Sequence, residues 1–286
     1  MKRYSSTTDL LPASLLDRMA DWRDMNFDET IRGQVRAETK PLLDQFSLLA
    51  RELAEKPSTR VFWNPPPSDI RRLLNHHIDV VWASHVSKFA LLAKAIIQSA
   101  NDLNFLEYGL VGRSLIEHTA VLRHHLVDRA NPILEKATNA GMTTFEDISE
   151  LVGILDTLHR GGAFDWKSLL TGDVERLRTR KPTDLPRPAR IRDCIDSWKR
   201  EDPSIGVLYG LFCDLVHPNV GTNLLVMKQW PEGIGFGGHD GRLFGVDLFE
   251  RTIVVLAAIM NRVRTLLNGL LLMRLPTGSG GQQEPA

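Results

Sequence analysis

Apolar residues recur three and four positions apart along nearly the whole chain, the spacing that lines one side of an α-helix. A first block of this kind runs from about residue 8 to residue 55. It stops at KPSTRVFWNPPPSD, where three consecutive prolines cannot lie inside a helix. From Asp69 the pattern resumes. HHIDVVWASHVSKFALLAKAIIQSA and LNFLEYGLVGRSLIEHTAVLRHHLVD predict two long helices joined by a turn near Asn101, and TTFEDISELVGILDTLHR predicts a shorter one ended by Gly161 and Gly162.

The run EDPSIGVLYGLFCDLVHPN carries its own punctuation. Asp202 can cap the free amides, Pro203 suits the first helical position, and Pro218 halts the run. NLLVMKQWPEGIGFGGHDGRLFG is rich in glycine with short apolar pieces, which predicts a small hairpin or meander. Asp247 and Glu250 then form a capping-box pattern for a last helix ending near Arg274, about 40 Å long at 1.5 Å per residue. Its apolar residues lie almost all the way round, so it belongs at the centre of a bundle or in an oligomer interface. The expected fold is all-α: a helical bundle with a small β-hairpin or meander insertion before the C-terminal helix. The expected layout is an N-terminal helical segment over 1–57, a Pro-rich linker over 58–68, a central bundle over 69–274 and a disordered tail over 275–286.

Composition narrows the function. Thirty-five basic residues balance 35 acidic ones, so any hold on nucleic acid must come from a local patch. One such run, VERLRTRKPTDLPRPARIRD, has seven basic residues, three acidic and three prolines, and reads either as a solvated linker or as a phosphate-contacting patch. Two cysteines, Cys194 and Cys213, make neither a disulfide framework nor a zinc quartet, which fits a reducing cytoplasm. The first residues lack an apolar run of signal-peptide length. The apolar stretch TIVVLAAIMNRVRTLLNGLLLM carries Arg262 and Arg264 at its centre, each costing about 2.5–3.5 kcal/mol at mid-bilayer, so no membrane span is expected. No Walker loop, dinucleotide fingerprint, zinc-protease motif or nucleophile elbow occurs, and neighbouring His76 and His77 point about 100° apart on a helix. Neither cofactor nor metal is expected.

Two polar groups interrupt the apolar patterning. Residues four apart on a helix differ by about 40° and residues eleven apart by about 20°. Arg113, Glu117, His124 and Asp128 therefore share one stripe, which Leu106 and Leu110 continue. Charges on a partly apolar face must be paired or otherwise satisfied. They form either an ion pair that ties helices together or a functional pocket. The second group is Tyr209, Cys213 and His217, spaced four apart, with Asp214 three before His217. The negative end of a helix disfavours a thiolate and favours an imidazolium. Cys213 thus reads as a small core residue. His217 reads as a dipole partner, a phosphate contact or a general acid, and Asn219 closes a turn behind it.

Arg113-Ser-Leu-Ile-Glu-His118 is an R-x4-H match, as are Arg71 to His76 and Arg72 to His77. On these motifs the chain resembles the HEPN superfamily of all-helical proteins, which includes metal-independent ribonucleases of bacterial defence systems. The Arg-x3-Glu helix followed by Tyr-x-x-Phe-Cys-x-x-x-His-Pro-Asn is also similar to a group of uncharacterised bacterial helical proteins, over about residues 69–274. The first resemblance implies that Arg113 stabilises a phosphate, that His118 assists attack by a ribose 2′-hydroxyl, and that two protomers build one composite site. The expectation is a homodimer that binds or cleaves RNA or a nucleotide. Arg113, Glu117, His118 and His217 would be its catalytic groups, and Tyr209, Asp214, Asn219 and His124 its substrate contacts. The alternative is a non-catalytic interaction protein with a structural charged stripe.

Overall fold

Side-chain caps set where five of the described helices begin, because the first turn of any helix leaves amides without partners. Asp28 caps the short α1 (Glu29–Arg32), and α2 (Lys40–Ala54) follows a 3₁₀ turn at Ala37–Thr39. Asp69 accepts from the amides of Arg71 and Arg72 to open α3 (Ile70–Asn101), and Asn104 accepts from Glu107 to open α4 (Phe105–Arg123). A full capping box of Thr144 and Asp147 starts α6 (Phe145–Arg160). α7 (Ile191–Glu201) leads into α8 (Pro203–Val216), where Asp202 accepts from the Ser204 amide and Pro203 takes the first position as its chemistry predicts. α9 (Val220–Val226) and α10 (His239–Leu272) are the last described helices.

This computed structural model describes residues 25–55, 69–161, 186–217, 220–230, 233–236 and 239–276, without the side chains of 220–221, 226–230, 233–236 and 239–241. The expected linker over 58–68, residues 8–24 of the first block, most of the basic run, Asn219 and nearly all of the tail lie outside the described residues.

Between α4 and α5 (Asn131–Asn139) the chain widens into a π-helical segment, His124–Ala130. Pro132 supplies the reason. It has no amide to give the Asp128 carbonyl and its ring would clash there. The Asn131 amide reaches back five residues, to Leu126.

The all-α expectation holds. α3 is the central member, packed against α2, α4, α6 and α10, while α4 also meets α7, α8 and α10. One hydrophobic core runs from Met25 to Met273. Its centre is aromatic: the Phe249 ring lies 5.7 Å from Phe27, 5.2 Å from Tyr108 and 6.4 Å from Phe105, and Tyr108 meets Phe212 at 5.9 Å. The Tyr108 hydroxyl is satisfied by Thr252 Oγ1 at 2.8 Å. Among the described residues, α3 is the one helix long and apolar enough to cross a membrane.

The last helix differs from its expected start. It begins at His239, ahead of the Asp247–Glu250 pair. Asp247 bonds Arg251 instead, and Glu250 receives the Arg36 amide at 2.6 Å, Arg36 Nε at 2.9 Å and Thr39 Oγ1 at 3.1 Å. Its carboxylate anchors the turn before α2, a distant partner that local spacing cannot reveal.

Candidate functional site

The crossing of α4 over α8 depends on a glycine. A Cβ on Gly112 would stand 2.6 Å from the Phe212 ring, so only hydrogen at that position lets the helices approach. One turn before Phe212, Tyr209 then comes to rest beside α4.

There Arg113 Nε donates to Glu117 Oε1 at 2.8 Å, and the Tyr209 hydroxyl donates to the same oxygen at 3.0 Å. The Arg113 guanidinium carbon sits 5.8 Å from the centre of the Tyr209 ring, within cation–π range. The cluster is neither core nor open surface: the Arg113 side chain is 31% exposed and that of Glu117 17%. Burial, with hydrogen bonds to Cys213 and Glu117, pushes the Tyr209 phenol up to about 12. The bond to Glu117 raises the already high pKa of Arg113. The expected ion pair is therefore present, joined by a tyrosine from the facing helix. The terminal amino groups of Arg113 make no hydrogen bond with a described residue.

Cys213 lies next to this cluster and is half-buried, so it is not the core residue that its sequence position suggests.

His118 faces elsewhere. Five residues after Arg113, it is rotated about 140° around α4. Its Nδ1 lies 2.8 Å from the Ser114 carbonyl, and burial lowers its pKa. It lines a cleft of about 310 Å³ between α3, α4 and α6, together with Glu117, His85, Lys88 and His125. Arg113 is not among the residues lining that cleft. Glu117 alone belongs to both sides.

The other predicted residues scatter. His217 is exposed at the end of α8, where its amide bonds the Cys213 carbonyl at 3.2 Å and its own carbonyl accepts from Thr222. It makes no hydrogen bond or ion pair with Arg113 or Glu117, so the two groups do not meet through direct contact. Asp214 is exposed one turn earlier. His124 bonds Asp128 at 3.1 Å and belongs to a different network, centred on Arg123. That side chain is fully buried among Asp128, Ser197 and Glu201. Asp128 joins His124 and Arg123 to Ser197 of α7, so this network ties α4 to α7 and not to Arg113.

Sequence reading overlooked His85, Lys88 and His125. The signal was present. His77, Val81, His85 and Lys88 follow i, i+4, i+8, i+11 on α3, while His118, Val121 and His125 follow i, i+3, i+7 from α4 into the π segment. Each series marks a polar seam on an inward face, and only the packing of α3 on α4 makes them one cleft.

Comparison with family models, with curated proteins and with solved structures gives no match for this chain.

Proposed function

We propose that this chain is a HEPN-like protein that binds RNA or a nucleotide and acts as a metal-independent endoribonuclease in bacterial defence or stress. One observation carries the reading: Arg113 is fixed through Nε while its two terminal amino groups take no partner among the described residues. A guanidinium held this way is pre-oriented to take two phosphate oxygens. His118, kept neutral by burial, supplies a base for a 2′-hydroxyl proton. Since Arg113 and His118 point to different sides of α4, the active unit is a homodimer in which one protomer's Arg113 works with its partner's His118. The setting is cytoplasmic, without membrane, metal or cofactor. His217, at the far end of α8, would contact the RNA backbone beyond the reacting phosphate, as would Asn219. The small hairpin insertion belongs to this proposal, supported by the antiparallel backbone pairing of Met227 with Phe236 and Trp230 with Gly233.

The test is cleavage and binding of single-stranded RNA by the purified full chain, beside Arg113→Ala, His118→Gln and His217→Ala. The expected result is cleavage by wild type, loss in the first two variants with the fold intact, and partial recovery on mixing them. Equal, undetectable activity throughout, where a known ribonuclease works, removes the enzyme.

A second reading, a non-catalytic interaction protein, is favoured by the Tyr209–Glu117 bond, which makes the charged pair a strut between α4 and α8. Under it, Arg113→Ala and Glu117→Ala would each lose about 1–3 kcal/mol of stability, as a half-buried, hydrogen-bonded pair does on losing one partner. A site residue would be removed at much smaller cost.

A further inference from the structure

The cleft between α3, α4 and α6 has a defined hydrogen-bonding character. His85 Nδ1 lies 2.8 Å from the Val81 carbonyl, His118 Nδ1 2.8 Å from that of Ser114, and His125 Nδ1 2.9 Å from that of Val121. A carbonyl can only accept, so each Nδ1 carries the ring proton. Burial holds His85 at about 3 and His125 at about 4, and lowers His118, so the rings are neutral near pH 7. Each Nε2 is then an acceptor. That of His125, a residue only 1% exposed, is fully buried with no hydrogen-bond partner among the described residues.

Opposed to these acceptors stands one donor. Lys88 lines the same cleft and forms no ion pair or hydrogen bond with any described residue. Glu117 lines it as well, and its Oε2 takes no bond from a described residue. The walls between them are apolar, from Val121, Leu158 and Ile191.

This chemistry rejects the simple occupants. Glu117 repels an anion and Lys88 a cation. Among the described residues no three histidine, cysteine or carboxylate side chains converge on a metal position. What remains is a flat, neutral ligand with a carbonyl for the lysine and adjacent N–H groups for carboxylate and imidazole. The volume of about 310 Å³ is at the small end of ligand pockets, about 300–1,000 Å³.

We propose that this cleft is a nucleobase pocket selective for guanine. The O6 carbonyl faces Lys88, and the N1–H and N2 amino group face Glu117 and the buried Nε2 of His125. Adenine offers no carbonyl and places an acceptor where N1–H is needed. The proposal rests on the reading of the protein as one that handles RNA or a nucleotide, and supplies its base preference.

The test is calorimetric titration of the full chain with guanosine 5′-monophosphate, adenosine 5′-monophosphate, guanosine and 1-methylguanosine, and of the Lys88→Met and His125→Phe variants with the first. A buried group left unpaired by the wrong base predicts at least about tenfold weaker binding of the adenine nucleotide and of 1-methylguanosine. Lys88→Met should lose a similar factor while keeping the wild-type melting curve. Equal affinity for the two nucleotides, or no binding of any guanine ligand, overturns the pocket. The wild-type ligand series decides even if a variant fails to fold. The two proposals fail separately: loss of RNA binding in Arg113→Ala without any guanine preference leaves the function and removes the pocket. Guanosine binding without RNA binding does the reverse.

Discussion

At the scale of single residues, the buried imidazoles dominate the response to acid. In the unfolded chain a histidine titrates at its ordinary 6.5, whereas burial, reinforced by Lys88 for His85, holds His85 at about 3 and His125 at about 4 in the fold. Below pH 6.5 the unfolded chain therefore takes up protons that the folded one refuses, and stability falls as pH drops. Above that pH the contribution is fully present. We expect the urea midpoint to decline between pH 6.5 and pH 4, with His125→Asn flattening part of the decline. A pH-independent midpoint over that range would mean that these rings are not held neutral. His118 is drawn the same way by its burial.

At the scale of elements, the α4–α8 contact sets the geometry of the charged cluster. Gly112→Val would drive a side chain into the Phe212 ring, which is itself fully buried and anchored against Tyr108. Overpacking of this kind costs about 1–3 kcal/mol. It should also part Tyr209 from Glu117, visible as a fall in the tyrosine's titration midpoint from about 12 toward the ordinary 10. Gly153, which has nothing within 4 Å of its missing Cβ, provides the control: Gly153→Ala should leave both readings unchanged or raise stability slightly. Much of this scale was legible in the sequence. Period and punctuation placed α3, α4, α6 and α8, down to the Asp202 cap, because those signals act within a few residues. The Arg113–Glu117 pair was legible for the same reason, as a one-turn neighbour. Its Tyr209 partner, 92 residues away, was not, nor was the cleft that sets α3 histidines against α4. His124 takes Asp128 and the Arg123 network as its partners rather than Arg113 or Glu117, a choice that helical spacing does not carry.

At the scale of the whole molecule, the two ends of the described chain share one core. Met25, Phe27 and Ile31 are buried, and Phe27 is stacked edge-on against Phe249 of α10. Asn101, at the end of α3, ties the same segment by accepting from the Asp28 amide and donating to the Asn26 carbonyl, both at 3.0 Å. The described helices should therefore unfold as one unit. We expect far-ultraviolet and near-ultraviolet melts to coincide, and Phe27→Ala to shift both together, at a cost of about 3–5 kcal/mol. An early, separate loss of signal in that variant would show the N-terminal helices to be an independent layer.

The π-helical segment joins these scales. It spends one more residue per hydrogen-bonded turn than the α-helices on either side. Deleting a single residue there, with Pro132 replaced, would let ordinary helix run through. Every side chain upstream would then rotate by about 100° relative to those downstream. The surplus residue acts as a gear tooth: it sets the phase of α4, which carries Glu117 and His118, against α5 beyond it. Losing it would keep every α4 residue that lines the cleft and present α5 to its neighbours by a different face.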